Sequence, residues 1–172
     1  MSLLPAIFTA SPERRAAREK PQESAFRALV RTIGLLDRVM QPHFARFGIS
    51  ASQWAALRVL HRSGANGHGG LRITELSERL LIRPPSVTGV IDRLERGGFV
   101  VRDAAPEDLR AKQVRLTAKG RRLVEHVLEV HPAQIETVLG GLNAGDQIEL
   151  CRLLDQLCGH LERLLERRTN GN

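Results

Sequence analysis

The stretch from Leu71 to Gly120, LRITELSERLLIRPPSVTGVIDRLERGGFVVRDAAPEDLRAKQVRLTAKG, decides how this chain folds. Leu76, Leu80 and Leu81 line one side of a short helix whose other side carries Glu75, Glu78 and Arg79. That spacing is the signature of an amphipathic helix. Thr74 is placed to cap it, because a threonine hydroxyl can accept from the free amides of a first turn. A turn over Leu81, Ile82 and Arg83 follows, and Pro84 stands where a first helical residue belongs, the position where its missing N–H costs nothing. Val87, Val90, Ile91 and Leu94 then recur at helical spacing and predict one buried face. Gly97 and Gly98 end the second helix. Its N-terminal end is left with Pro85, Ser86, Thr88 and Gly89, small residues suited to close approach rather than to packing.

Beyond the glycines, Phe99-Val100-Val101 and Gln113-Val114-Arg115-Leu116 are β-rich runs that predict a hairpin. Their connection is too long for a two-residue turn, and Asp108, Arg110 and Lys112 are expected in that loop. An arginine at a hairpin tip can enter a minor groove, where narrow A·T tracts concentrate negative potential. Asp108 could orient Arg110 through a charge-assisted hydrogen bond. Taken singly, each piece has a plainer reading, as core or as solvated loop. Helix, turn, helix and basic hairpin in this order make a winged helix-turn-helix, and motifs gain their meaning from such context. The predicted class is therefore mainly α (α+β), and the predicted partner is duplex DNA.

Charge agrees with that reading. The 172-residue chain has a net charge of +7, with twelve basic against seven acidic residues over 72–122 and four against eight over 123–172. A basic winged segment beside an acidic C-terminal end describes a face, not a uniform phosphate affinity.

The flanking segments predict dimerisation. Phe26, Leu29, Val30, Ile33, Leu36, Met40 and Phe44 form a stripe at three- and four-residue spacing, one amphipathic helix ending near Gly48. Ser50 can cap the next helix, which carries Trp54, Leu57, Val59 and Leu60 and runs into a glycine-rich connector at 64–70. Thr117 can cap a long helix in which Pro132 predicts a kink and Gly140-Gly141 the end. Asn143 can cap a last helix bearing Leu150, Leu154, Leu157, Leu161 and Leu164. This apolar surface exceeds what one subunit needs to bury, as an intertwined two-fold dimer requires.

At TELSERL, PPSVTGVIDRLERGGFV, Arg102 with Asp108-Leu109-Arg110, and VRLTAKG, the chain resembles the MarR family of winged-helix transcriptional regulators, over about residues 22 to 167. The resemblance implies a homodimer whose recognition helices enter major grooves of a palindromic operator while wing arginines probe flanking minor grooves. It implies a single MarR-like domain over 22–172, and residues 1–21, which precede the resemblance, are read as an N-terminal arm or short extra helix. Within that domain the winged helix spans about 50–118, and the dimerisation helices about 22–47 and 117–167. Carried over by position, Arg83, Pro84, Pro85, Ser86, Thr88 and Gly89 lie on or beside the recognition helix, and Asp108, Arg110 and Lys112 on the wing. Arg93 becomes a phosphate contact or a helix-surface charge. Gly89 departs from the family, which often has a long polar or basic side chain there. The resemblance further implies a repressor released by a small aromatic or phenolic effector, with His43, Phe44, Phe47 and Trp54 as candidate lining residues. Two alternatives stay open: a sequence-tolerant architectural DNA-binding protein, and a ligand- or protein-binding module that has lost DNA binding.

Other chemistries find little support. Cys151 and Cys158 lie seven residues apart on one helix, about 10.5 Å at 1.5 Å per residue, too far for a mutual disulfide. They are expected as small core hydrophobes. The histidines show no ligand spacing, so neither metal nor cofactor is expected. No nucleophile elbow or phosphate-cradling loop points to an enzyme. The first twenty residues lack the apolar run of a signal peptide and nothing is long enough to span a membrane, which predicts a cytoplasmic protein.

Overall fold

The computed structural model describes residues 20–65, 70–105 and 108–169, with the side chains of 105, 108–111, 168 and 169 outside the description. The expected N-terminal arm lies outside the described residues, as does most of the glycine-rich connector. The elements run α1 (Pro21–Ala45), α2 (Ala51–Ala65), α3 (Ile73–Leu80), α4 (Pro84–Arg96), β1 (Val100–Ala105), β2 (Asp108–Leu116), α5 (Ala118–Leu139) and α6 (Ala144–Thr169). This is the predicted winged helix-turn-helix, mainly helical with one two-stranded antiparallel sheet.

Local chemistry explains most boundaries. The Ser50 hydroxyl accepts from Gln53 N–H at 3.2 Å while the Gln53 side chain accepts from Ser50 N–H at 2.8 Å, a reciprocal cap for α2. Thr117 accepts from Gly120 N–H at 3.0 Å, and Asn143 accepts from Asp146 N–H at 3.0 Å. Pro84 occupies the first turn of α4 as expected. Gly48, at φ 69°, follows α1. Pro132 is accommodated inside α5, which continues through it.

Two expectations at α3 need correction. Thr74 lies within the helix, and the residue before its first turn is Arg72, whose N–H donates to the Glu75 carboxylate at 2.6 Å. An acidic third residue can satisfy a free amide as well as a threonine in front of the helix can. Leu81 does not join the apolar side: it sits beyond the helix at φ 55° and is 81% exposed. The left-handed conformation turns the chain sharply from α3 into α4, and the Ser77 hydroxyl donating to Ile82 O at 2.5 Å braces it.

The core is one cluster. Trp54, Leu57 and Leu60 of α2 meet Leu76 of α3, Val87, Val90, Ile91 and Leu94 of α4, and Val124 and Val127 of α5. Burying each such side chain contributes roughly 1.5–3 kcal/mol, which holds the helix pair at a fixed angle to the wing. The sheet register runs from Val100↔Leu116 to Ala104↔Lys112 and becomes irregular at Ala105. Leu71 adds a bridge to Val114, and a Cβ at Gly70 would fall 2.6 Å from Arg115 Cγ, so only glycine lets the incoming chain lie this close to β2. The strands are longer than predicted. Asp108, Arg110 and Lys112 are strand residues rather than loop residues, because the antiparallel ladder continues through a polar sequence once Val100, Val114 and Leu116 anchor its base.

At the other end, the first part of the α1 stripe and the α6 stripe are left uncovered by the described residues, while Met40 and Phe44 at the end of α1 join the core. Phe26 is 70% exposed and Val30, Ile33 and Leu36 are exposed beside it; Leu150, Leu154, Leu157, Leu161 and Leu164 are exposed along α6. No described side chain of α6 is buried. Cys151 and Cys158 are accordingly exposed, against the expectation of core packing. The reason is that no described element of the chain covers the apolar side of their helix.

Candidate nucleic-acid interface

The N-terminal half of α4 turns one face to solvent. Its buried side presses Val87, Val90, Ile91 and Leu94 into the core, which turns Pro84, Pro85, Ser86 and Thr88 outward, all exposed. Arg83 precedes the helix in an extended conformation and makes no capping bond through its side chain. The first turn offers no free amide, because Pro84 and Pro85 lack an N–H and the Ser86 and Val87 amides donate to Arg83 O at 3.0 and 3.2 Å, so the attraction for phosphate at this end rests on Arg83 and Arg93. Thr88 turns its hydroxyl back to Pro84 O at 3.0 Å. Gly89 is half-buried, with space for a side chain: a Cβ there would meet only Arg93 Nη1 at 4.0 Å. Arg93 is exposed one turn on.

The wing is clamped to this helix by a residue whose partners were not foreseen. Arg102 of β1 donates to Asp92 Oδ1 at 2.5 Å and to Glu95, both on α4. Its side chain is 21% exposed, so these pairs are stronger than open-surface ones. Lys119 of α5 donates to Gly97 O at 2.8 Å and lies over the Phe99 ring, tying the wing base to the next helix. Arg115 pairs with Asp103 across the sheet. Lys112 is exposed on β2. The Asp108 and Arg110 side chains lie outside the described residues, so their expected partnership has no geometry to report.

The four candidate effector residues do come together, around a residue that sequence reading missed. His131, arriving from α5, places Nδ1 3.3 Å from His43 Nε2. Its ring lies 5.3 Å from that of Trp54 and 5.8 Å from that of Phe44, while Phe47 packs edge-on to His43 and His126. Beside this cluster opens an apolar recess of about 490 Å³ lined by Phe44, Trp54 and His131 together with Ile33, Met40 and Ile135. His43 and Phe47 do not line it; His43 meets it through Phe44, 5.1 Å away ring to ring, and through His131. Burial, aided by Arg46, pushes the His43 pKa below its ordinary value of 6.5. Burial, then His43 and Arg58, pushes His131 the same way. Near pH 7 the pair is therefore neutral, one ring donating to the other. No spacing rule links positions 43 and 131, so only the packing of α5 on α1 brings them together.

Among the described residues no three or more His, Cys, Asp or Glu gather as a metal site. No described helix is long and apolar enough to cross a membrane.

Known proteins share this architecture. The MarR family pattern matches residues 49–112, from the start of α2 into the wing. The HTH-type transcriptional regulator YkoM of Bacillus subtilis (strain 168) is 32% identical over 120 residues, covering 70% of this chain and 75% of that one. A mutant MarR from Escherichia coli, solved in complex with operator DNA, superposes with a TM-score of 0.70 at 23% identity, covering 76% of this chain and 91% of that one. The organohalide-sensing regulator RdhR-CbdbA1625, solved in its 2,4-dichlorophenol-bound form, superposes with a TM-score of 0.74 at 17% identity, covering 91% and 89%. At those identities the two structures speak for the fold.

Proposed function

Because this chain belongs to the MarR family of transcriptional regulators, we propose that it acts as a homodimeric repressor that binds a palindromic operator and is released by a small aromatic or phenolic effector. The observation that carries the reading is the pairing of two exposed features: α4 presented beside a wing, and the unpartnered apolar stripes of α1 and α6. Isolated helices gain little stability in water, so a 26-residue α6 with no buried side chain among those described calls for a second copy. Two copies would set two α4 helices at a fixed half-site spacing. In this reading residues 22–172 form one regulatory domain, with 1–21 as an arm, working in the cytoplasm where its DNA lies.

Arg83, Pro84, Pro85, Ser86, Thr88, Gly89 and Arg93 would face the major groove and its phosphates, and Asp108, Arg110 and Lys112 the flanks. The effector would occupy the recess beside His131, whose size suits a small planar molecule. It would shift the two α4 helices only as far as it binds one arrangement better than the other. The RdhR-CbdbA1625 complex with 2,4-dichlorophenol supports a phenolic ligand. A sequence-tolerant, architectural reading has one observation in its favour, the absence of a side chain at Gly89.

Fluorescence anisotropy at about 150 mM salt, with the chain's own upstream DNA against scrambled duplex, separates the readings. A preference of a thousandfold or more supports a regulator. Equal, salt-sensitive binding favours the architectural protein, and no binding to any duplex refutes both. Arg110→Ala is expected to weaken operator binding by about 1–3 kcal/mol and relax preference at the flanks; unchanged affinity removes the wing from the interface.

A further inference from the structure

The exposed face of the first two turns of α4, residues 84–91, holds no side chain able to make a paired hydrogen bond with a base edge. From position 84 to 91 the helix reads PPSVTGVI, without an amide, a carboxylate, an imidazole or a cation. Positions 85 and 89 are one turn apart at the centre of the face turned away from the core, and they carry an exposed proline and a glycine. Thr88, beside them, is exposed, and its hydroxyl hydrogen is committed to Pro84 O at 3.0 Å. What Thr88 offers a partner is its γ-methyl and an oxygen that only accepts.

In the major groove, an apolar contact has one target among the four bases, the C5-methyl of thymine. We infer that α4 selects thymine by setting the Thr88 γ-methyl, flanked by the Pro85 ring, against that methyl group. The bare backbone at Gly89 lets the helix lie close enough for the contact, and Arg83 and Arg93 border the face as cations for phosphate. The inference rests on the DNA-binding reading above and supplies its base preference. It also separates two outcomes the gap at Gly89 leaves open: no readout at all, or readout without hydrogen bonds.

The test begins by selecting duplexes from a random pool with the full-length protein. The selected site is then made with thymine or with deoxyuridine at the positions under α4, which removes the methyl and keeps the pairing. Burial of one methyl predicts about a fourfold loss with uracil per half-site, near sixteenfold for both halves. Thr88→Ser keeps the hydroxyl and loses the methyl, and should bring the thymine-to-uracil ratio close to one. Thr88→Val loses the hydroxyl and should preserve the ratio. Helix content by circular dichroism confirms that each variant is folded. Equal binding of thymine and uracil sites by the parent protein, or an unchanged ratio in Thr88→Ser, overturns methyl readout and leaves DNA binding standing. Failure of any duplex to enrich overturns both.

Discussion

Gly120→Ala sets helix propensity against packing, and the two predict opposite signs. Gly120 is the third residue of α5, and alanine in a helix is favoured over glycine by up to about 1 kcal/mol. Propensity alone therefore predicts a more stable protein. A Cβ at this position, however, would fall 2.0 Å from Phe99 O, 3.0 Å from the Phe99 carbonyl carbon and 3.3 Å from Leu116 Cδ2. Carbon and carbonyl oxygen approach no closer than about 3.3 Å, so backbone must retreat by more than an ångström. That carbonyl also accepts from Thr117 N–H at 3.0 Å and from the Thr117 hydroxyl at 3.2 Å, and the same hydroxyl caps α5. Overpacking costs about 1–3 kcal/mol, and disturbing the cap about 1 kcal/mol more. After the propensity gain, the net loss is about 1–3 kcal/mol. For a protein of this size that lowers the melting temperature by roughly 2–12 °C, read by circular dichroism at matched protomer concentration, since a dimer's stability depends on it. A variant melting at or above the parent would refute the close approach of α5 to the wing base.

Three further outcomes are expected. Arg102→Met removes the bridge from β1 to Asp92 and Glu95; with both acids partly solvated the loss is about 1–2 kcal/mol, measured by urea unfolding. Operator affinity should fall with it, because two uncompensated carboxylates then sit on α4, and a variant unchanged in both stability and affinity would dismiss the clamp. The His43–His131 pair makes stability depend on pH: with both pKa values held below 6.5, the unfolded chain binds more protons, so stability is fully present above about 6.5 and is lost as pH falls below it. Melting temperature should drop between pH 7 and 5.5, and the drop should shrink in a His43→Gln, His131→Gln double variant; identical slopes would show that the pair does not titrate this way. Finally, Leu157→Asp should weaken self-association at least a hundredfold, since it desolvates a carboxylate in each copy at several kcal/mol per ion. Analytical ultracentrifugation at about 10 µM would show a dimer becoming a monomer, and a parent protein already monomeric there would refute the assignment of the α1 and α6 stripes.

The local rules of the chain determined a good deal unaided. Hydrophobic spacing located every helix between Pro21 and Thr169, and Ser50, Thr117 and Asn143 cap the helices their positions implied. Pro84 and Gly97-Gly98 bounded α4 because proline and glycine act through their own backbone, whatever surrounds them. The apolar surplus on α1 and α6 was equally legible, since periodicity exposes a stripe before anything is known of what covers it. Tertiary structure decided the rest. Leu81 reads as a core leucine, yet the angle between α3 and α4 needs a left-handed residue there and sends its side chain to solvent. The wing runs through polar residues that no propensity would assign to a strand, because hydrogen-bond ladders propagate from an anchored base. Arg102 could have paired with any of several acids, and His131 lay 88 residues from His43 with no pattern to join them. Short-range forces repeat along a sequence and can be read from it; the meeting of α5 with α1, and of β1 with α4, depends on how whole faces pack, and that is settled only when the core closes.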